Sequence, residues 1–351
     1  MSSNQHELAE PPSDAISALK FAPNSSSRLL VSSWDRHVYL YDEHEGQPNQ
    51  LVRKFEHRAP VLDVCFGKDD DEAYSVGLDW DVRRIDLTTG EQSILSTHEA
   101  GVKSVVYSSE HDLLISASWD KTLHIHFPSD MISHVPNTVP LPAKPFSLSL
   151  TPTKLVVAMA NRLVHIYDLR TLALLCSQSS QPPPNTTELE PWQHRESSLK
   201  FMTRAVACMP NDAGYASSSI EGRVAVEWFD PSESSQARKY AFKCHRQASD
   251  NGMDIVYPVN ALAFHPVLGT FATGGGDGVV ALWDANAKRR IRQYQRYPAS
   301  VAALAFSGDG KFLAVGVSPG FEDGEEVLGE GEVKVFIREL GENEAKGKGA
   351  K

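Results

Sequence analysis

Cysteine is scarce in this chain: four among 351 residues, at Cys65, Cys176, Cys208 and Cys244, with no Cys-x-x-Cys pair. That scatter signals neither a disulfide framework nor a zinc site. Positive charge is also in deficit, with 34 Lys and Arg against 45 Asp and Glu and a formal net charge of −11. A bulk nucleic-acid binder would present a strongly basic field instead. Long hydrophobic runs are missing too. None reaches the ~18 residues that a membrane span needs, and Met1-Ser2-Ser3-Asn4-Gln5-His6 has no signal-peptide core. The expectation is a soluble, intracellular chain with neither membrane nor nucleic acid as partner, whose sequons at Asn24 and Asn185 stay unmodified.

What is present is a repeat. An aromatic or aliphatic residue followed by Asp recurs at Tyr41-Asp42, Ile85-Asp86, Tyr167-Asp168, Phe229-Asp230 and Trp283-Asp284, while His126-Phe127 and Phe336-Ile337 fill two further slots. Successive marks lie 44, 41, 41, 62, 54 and 53 residues apart. The first three match the ~40–45 residues of a WD-type blade; the longer three contain insertions. Upstream of each mark comes a Val/Ile/Phe-rich strand, a second strand of small residues, and a polar turn. Val102–Tyr107, Leu113–Ser118 and Trp119-Asp120-Lys121 are one example. Three strands per unit plus an outer strand between units, seven times over, predict an all-β, seven-bladed WD-repeat β-propeller over residues 5–340, because four-stranded sheets bury both faces only by stacking radially. The ring must close, so Gln5–Leu8 is expected to supply the outer strand of the last blade. A linear solenoid would show a polar capping unit, and none is present.

Three segments interrupt the pattern. Residues 177–194, with Pro182-Pro183-Pro184, read as a polar loop between the fourth and fifth units. Residues 319–332 carry six acidic residues among four glycines and read as a loop inside the seventh blade; residues 341–351, rich in Gly and Lys, are expected to be a disordered tail.

Several constellations have a structural and a chemical reading. His98, Ser118 and Asp120 could be a hydrolase triad, but a loop His, a strand Ser and a turn Asp also form the polar network that ties a WD blade together. No Gly-x-Ser-x-Gly elbow supports the nucleophile. His124 and His126 share a strand face without a third metal ligand, and Gly274–Gly278 lacks the Gly-Lys-Ser/Thr ending of a phosphate loop. No catalytic residue, metal site or cofactor is therefore expected. Trp34 and Trp119 differ: each sits in a Ser-Trp-Asp turn, where a large indole left wet suits a partner contact.

The most distinctive stretch runs from 220 to 246. Gly222 suits a tight turn, and Arg223–Phe229 read as a strand with Val224, Val226 and Trp228 on one face and Arg223, Ala225, Glu227 and Phe229 on the other. Lys243, His245 and Arg246 add basic residues in an acidic chain. Such cations suit carboxylates or a phosphate. Arg204 begins a strand one step earlier and is expected to converge with Arg223 at the channel mouth.

Ser218–Glu227, Ala241–Arg246 and Arg195–Lys200 resemble the spindle-checkpoint WD-repeat family named for "budding uninhibited by benzimidazole", third of that set, the Bub-three family. The likeness spans about residues 6–340. The messenger-RNA-export relative shares the first two segments more loosely. The resemblance implies an adaptor within hetero-complexes, nuclear and at kinetochores in mitosis. It would bind the GLEBS motif of a checkpoint kinase and of its kinase-like relative, together with phosphothreonine in Met-Glu-Leu-Thr repeats of the kinetochore scaffold. Carried over residue by residue, it implies motif binding by Trp34, Trp119, Arg204 and Arg223, and phosphothreonine binding by Arg223 and Lys243. An export factor binding a nuclear-pore protein, and a ubiquitin-ligase substrate receptor, are the competing binding roles.

Overall fold

The computed structural model describes residues 4–44, 47–129, 135–177, 189–249, 252–320 and 332–347. They form seven four-stranded antiparallel sheets and one two-stranded hairpin. Blade one is Ile16–Phe21, Leu29–Ser33, His37–His44 and Gln47–Glu56, and each later blade repeats that order from the centre outwards. Blade seven is completed by the N-terminus: Gln5↔Arg338, His6↔Ile337 and Glu7↔Phe336 pair antiparallel. Each inner strand contacts the inner strands on both sides, and that of blade seven returns to blade one, so the ring is closed.

The cores lie between blades. Val224, Val226 and Trp228 of blade five pack with Val259 and Phe271 of blade six, while Phe229 and Tyr215 on the opposite face pack with Val156 and Ile166 of blade four. The period-two alternation in Arg223–Phe229 is thus resolved into two interfaces, and a strand buried on both faces must be apolar on both.

The insertions differ from expectation in position. The polar segment is not a link between blades four and five: it lies inside blade four, following the helix Leu169–Ser177, and its last residues belong to the outer strand Gln193–Glu196. Residues 178–188 and 321–331 lie outside the described residues. The 54-residue spacing comes from a hairpin, Arg246–Ala248 with Asp254–Val256. The tail is also corrected in part. Residues 341–347 fold back on blades six and seven, where Glu344 meets Arg338 at 3.1 Å and Ala345, buried, accepts a 2.8 Å bond from Thr270 Oγ1.

One irregularity recurs in all seven blades. The register shifts at the start of every inner strand, between Ile16/Ala18, Val61/Asp63, Val102/Ser104, Pro145/Ser147, Thr203/Val206, Val259/Ala261 and Val301/Ala303. A bulge leaves one residue unpaired and re-aims its side chain. Here the skipped residues include Lys103, Arg204 and Asn260, which line the central cavity.

Candidate binding face

The connections between second and third strands, and those entering each inner strand, emerge at one end of the ring. Arg204, Arg223 and Lys243 all belong to that end of blade five. Ser219 pairs with Thr203 on one side and with Arg223 on the other, and Arg223 pairs with Lys243. The register therefore lays Thr203, Ser219, Arg223 and Lys243 in a line across the sheet's edge, with strands roughly 4.8 Å apart. Directly paired residues project to the same face, so Arg223 and Lys243 are neighbours. Gly222, at φ +64°, makes the turn that starts this strand; a Cβ there would lie 2.7 Å from the Cys244 carbonyl oxygen.

Arg204 does not converge on Arg223. The bulge sends it to the channel, where its Nε and Nη2 donate to Asn260 Oδ1 at 3.2 and 2.9 Å. It remains exposed. Lys103 lines the same cavity, and burial, with the Arg204 charge adding to it, holds its ammonium below the usual lysine range. Arg223, about a third exposed, lies 3.5 Å from Glu221, a partner too loose to neutralise it fully. Lys243 is exposed at the mouth of a cavity of about 220 Å³ between blades five and six.

The rest of the basic stretch is employed internally. His245 is buried, with Nδ1 2.8 Å from Asp277 and Nε2 2.8 Å from Thr273. Arg246 donates to the Glu221 carbonyl at 2.8 Å and lies 3.8 Å from Asp254. Lys243 and Arg223 are what this segment presents outward.

Trp34 is 39% exposed. Trp119 is half-buried, its indole lying against Gly101, where a Cβ would meet ring carbon Cε3 at 3.0 Å. Sequence reasoning missed Trp80, which is 46% exposed at the same end of blade two. The turns explain why. Arg36, Trp80, Lys121, Gly222 and Gly278 hold one equivalent left-handed position, with φ between +64 and +73°, and Trp80 occupies it outside any Ser-Trp-Asp triplet. Ile220 is in the slot of Trp34 and Trp119, and Phe201, Met202 and Ile220 are exposed beside Arg204 and Arg223. Blade five thus flanks its cations with apolar surface.

The polar network of blade three is corrected in one member. His98 Nδ1 lies 3.0 Å from Asp120 Oδ2 and Nε2 lies 2.9 Å from Ser116 Oγ. Ser116, not Ser118, is the strand serine that meets the histidine. Ser118 Oγ donates to the Ala100 and Gly101 carbonyls at 3.1 and 3.2 Å and accepts from the Asp120 N–H. Burial would raise the Asp120 carboxyl, but its bonds from His98, from Thr122 and from the Glu99 N–H outweigh that and hold it well below the usual carboxylate range. Ser116 and Ser118 of this network are both fully buried, where a nucleophile could not meet a substrate. Blades two and six repeat it with His57–Ser75 (3.1 Å) and His245–Thr273. His124 and His126 share Ser96 Oγ at 3.0 and 2.9 Å, and His124 stacks on His98 with ring centroids 3.5 Å apart. Burial first, and the His98 charge second, lower them to about 3 and about 4.

The WD40 family (WD domain, G-beta repeat) matches residues 3–42, 90–126 and 254–284. The mitotic checkpoint protein BUB3.1 of Arabidopsis thaliana is 49% identical over 345 residues, 97% of this chain and 94% of its own length. The mitotic checkpoint protein bub3 of Dictyostelium discoideum is 39% identical over 92% of this chain and 91% of its own. The mRNA export factor GLE2 of Chaetomium thermophilum is 32% identical over 90% and 84%.

Proposed function

The chain belongs to the Bub3 family of mitotic checkpoint WD-repeat proteins, and from that premise we propose that it is a non-enzymatic adaptor of the spindle assembly checkpoint. It works in the nucleus and, in mitosis, at kinetochores. One end of the ring takes the GLEBS motif of a checkpoint kinase or of its kinase-like relative. Phosphothreonine in Met-Glu-Leu-Thr repeats of the kinetochore scaffold docks on the same end.

The observation that carries this reading is the line across blade five. Arg223 and Lys243 are directly paired and Arg204 follows the first residue of the inner strand Thr203–Cys208 of the same sheet, all at the end that exposes Trp34, Trp80 and Ile220. Fixed cations beside uncovered apolar side chains suit a peptide that mixes carboxylates or phosphate with hydrophobic anchors. Arg204, at the channel mouth, would receive glutamates of the GLEBS motif; Trp34 and Trp119 would anchor its apolar side chains. Arg223 and Lys243 would receive the phosphate. A hydrogen bond to a charged group contributes roughly 1.5–3 kcal/mol, so two of them separate a phosphorylated from a bare peptide by tens- to thousands-fold. The closed ring holds these donors in place before the partner arrives, which lowers the entropic cost of binding.

The test is calorimetry with a GLEBS peptide against the wild-type chain and a Trp34→Ala, Arg204→Ala variant of unchanged thermal stability. Loss of binding in the variant is expected; equal binding would refute the placement. The export reading rests on the GLE2-like relatives. Affinity capture from mitotically arrested cells separates the two: checkpoint kinase supports the adaptor proposed here, nuclear-pore protein without kinase the alternative.

A further inference from the structure

The outer edge of blade six carries charge that the face described above does not use. Its outer strand, Arg289–Gln293, holds three arginines and no acid. The six other outer strands carry net side-chain charges between −1 and +1. With Lys288 and Arg296 the run 288–296 places five exposed cations in nine residues of a chain whose net charge is −11. Among the described residues only Arg292 of these five meets a carboxylate, Glu344 at 3.5 Å, and it shares that group with Arg338 at 3.1 Å. Arg292, Arg296 and Arg338 border a cavity of about 600 Å³ that Tyr294, Tyr297 and Phe336 also line.

Edge charges can act merely as guards against edge-to-edge pairing. Guarding would be as useful on the other outer strands, which lack such a run, and it gives no reason for an aromatic cavity at the strand's end. We propose that this edge is a second docking site, for an extended acidic peptide segment of a partner, paired antiparallel or parallel to Arg289–Gln293 with one aromatic or aliphatic side chain in the cavity. The edge strand has its outward backbone N–H and C=O groups unpaired within the sheet, and an extended peptide completes them. A nucleic acid offers no such ladder and would meet the repulsion of the whole chain. Arg290 and Gln293 also line the cavity that Lys243 borders, so this edge adjoins the blade-five cations, while its aromatic cavity lies on the far side, against blade seven.

The probe is a fluorescein-labelled peptide of alternating Glu and Val with one Phe, titrated into the full chain by anisotropy. Binding that weakens with added salt, slowed hydrogen exchange at Arg290–Gln293, and a roughly tenfold or greater loss in an Arg289→Ser, Arg290→Ser, Arg296→Ser variant support the proposal. The charge-keeping Arg289→Lys, Arg290→Lys, Arg296→Lys variant is expected to retain most of the affinity, and equal loss in both variants would count against the charge argument. The same peptide N-methylated at alternate amides should bind much more weakly. Undiminished binding of that peptide, or of the wild-type peptide to the Ser variant, overturns the proposal, as does a single-stranded oligonucleotide of matched charge that binds more tightly and displaces the peptide.

Discussion

Lowering the pH from 7 to 5 should destabilise blade three through His124 and His126. Both rings are buried, share Ser96 Oγ, and neighbour His98. Among the described residues, a positive charge on His124 has only the Asp120 carboxylate near it, already held by His98 and Thr122. Their folded values, about 3 and about 4, lie below the 6.5 expected of an unfolded histidine. The unfolded chain therefore binds more protons between pH 6.5 and about 4. Stability is complete above pH 6.5 and falls as pH drops through that window, by about 1.4 kcal/mol per pH unit for each group. At pH 5 each costs about 2 kcal/mol, and the pair about 4 kcal/mol. Urea unfolding at pH 7 and pH 5, for the wild type and for a His124→Gln, His126→Gln variant, measures the difference. His165, lowered to about 4 by burial and by His194, titrates alike in both and cancels. A variant that loses as much stability as the wild type on acidification would refute the assignment.

Further expectations follow from the same geometry. His98→Ala removes a buried partner from Asp120 and Ser116 and should cost about 3–5 kcal/mol in urea unfolding; a cost under about 1 kcal/mol would mean that water satisfies both groups. Gly222→Ala forces a Cβ against the Cys244 carbonyl at positive φ and should cost about 1–3 kcal/mol by thermal melting, with binding to the blade-five cations reduced. Trp80→Ala should weaken GLEBS-peptide affinity by roughly tenfold without changing the melting temperature, and an unaltered affinity would place Trp80 outside the contact.

The architecture was legible because its cause is periodic. Aromatic-Asp marks at blade spacing and an apolar strand at each centre are local signals, and closure of the ring then requires the N-terminal strand that pairs with Lys334–Glu339. The site was legible only in part. Arg223 and Lys243 are joined by a hairpin register that sequence order nearly dictates. Arg204 is aimed by a bulge that arises from packing seven inner strands around a channel, which no single strand's pattern reveals. Ser116 replaces Ser118 beside His98 for a similar reason: the choice depends on how the incoming loop crosses the sheet. Trp80 escaped notice because it stands in a left-handed turn position where glycine would be expected. His245 and Arg246 read as part of an outward basic cluster, yet Asp277 and Thr273 of blade six absorb His245, and the Glu221 carbonyl with Asp254 of the adjoining hairpin absorbs Arg246.

The proposed phosphate site rests on a rigid ring that holds Arg223 and Lys243 as paired cations. Its most direct test is calorimetry of phosphorylated and unphosphorylated Met-Glu-Leu-Thr peptides against the wild type and the Arg223→Ala, Lys243→Ala double variant. The expected result is a preference for the phosphopeptide of at least roughly tenfold in the wild type, and none in the variant at unchanged melting temperature. A folded double variant that still prefers the phosphopeptide would contradict it.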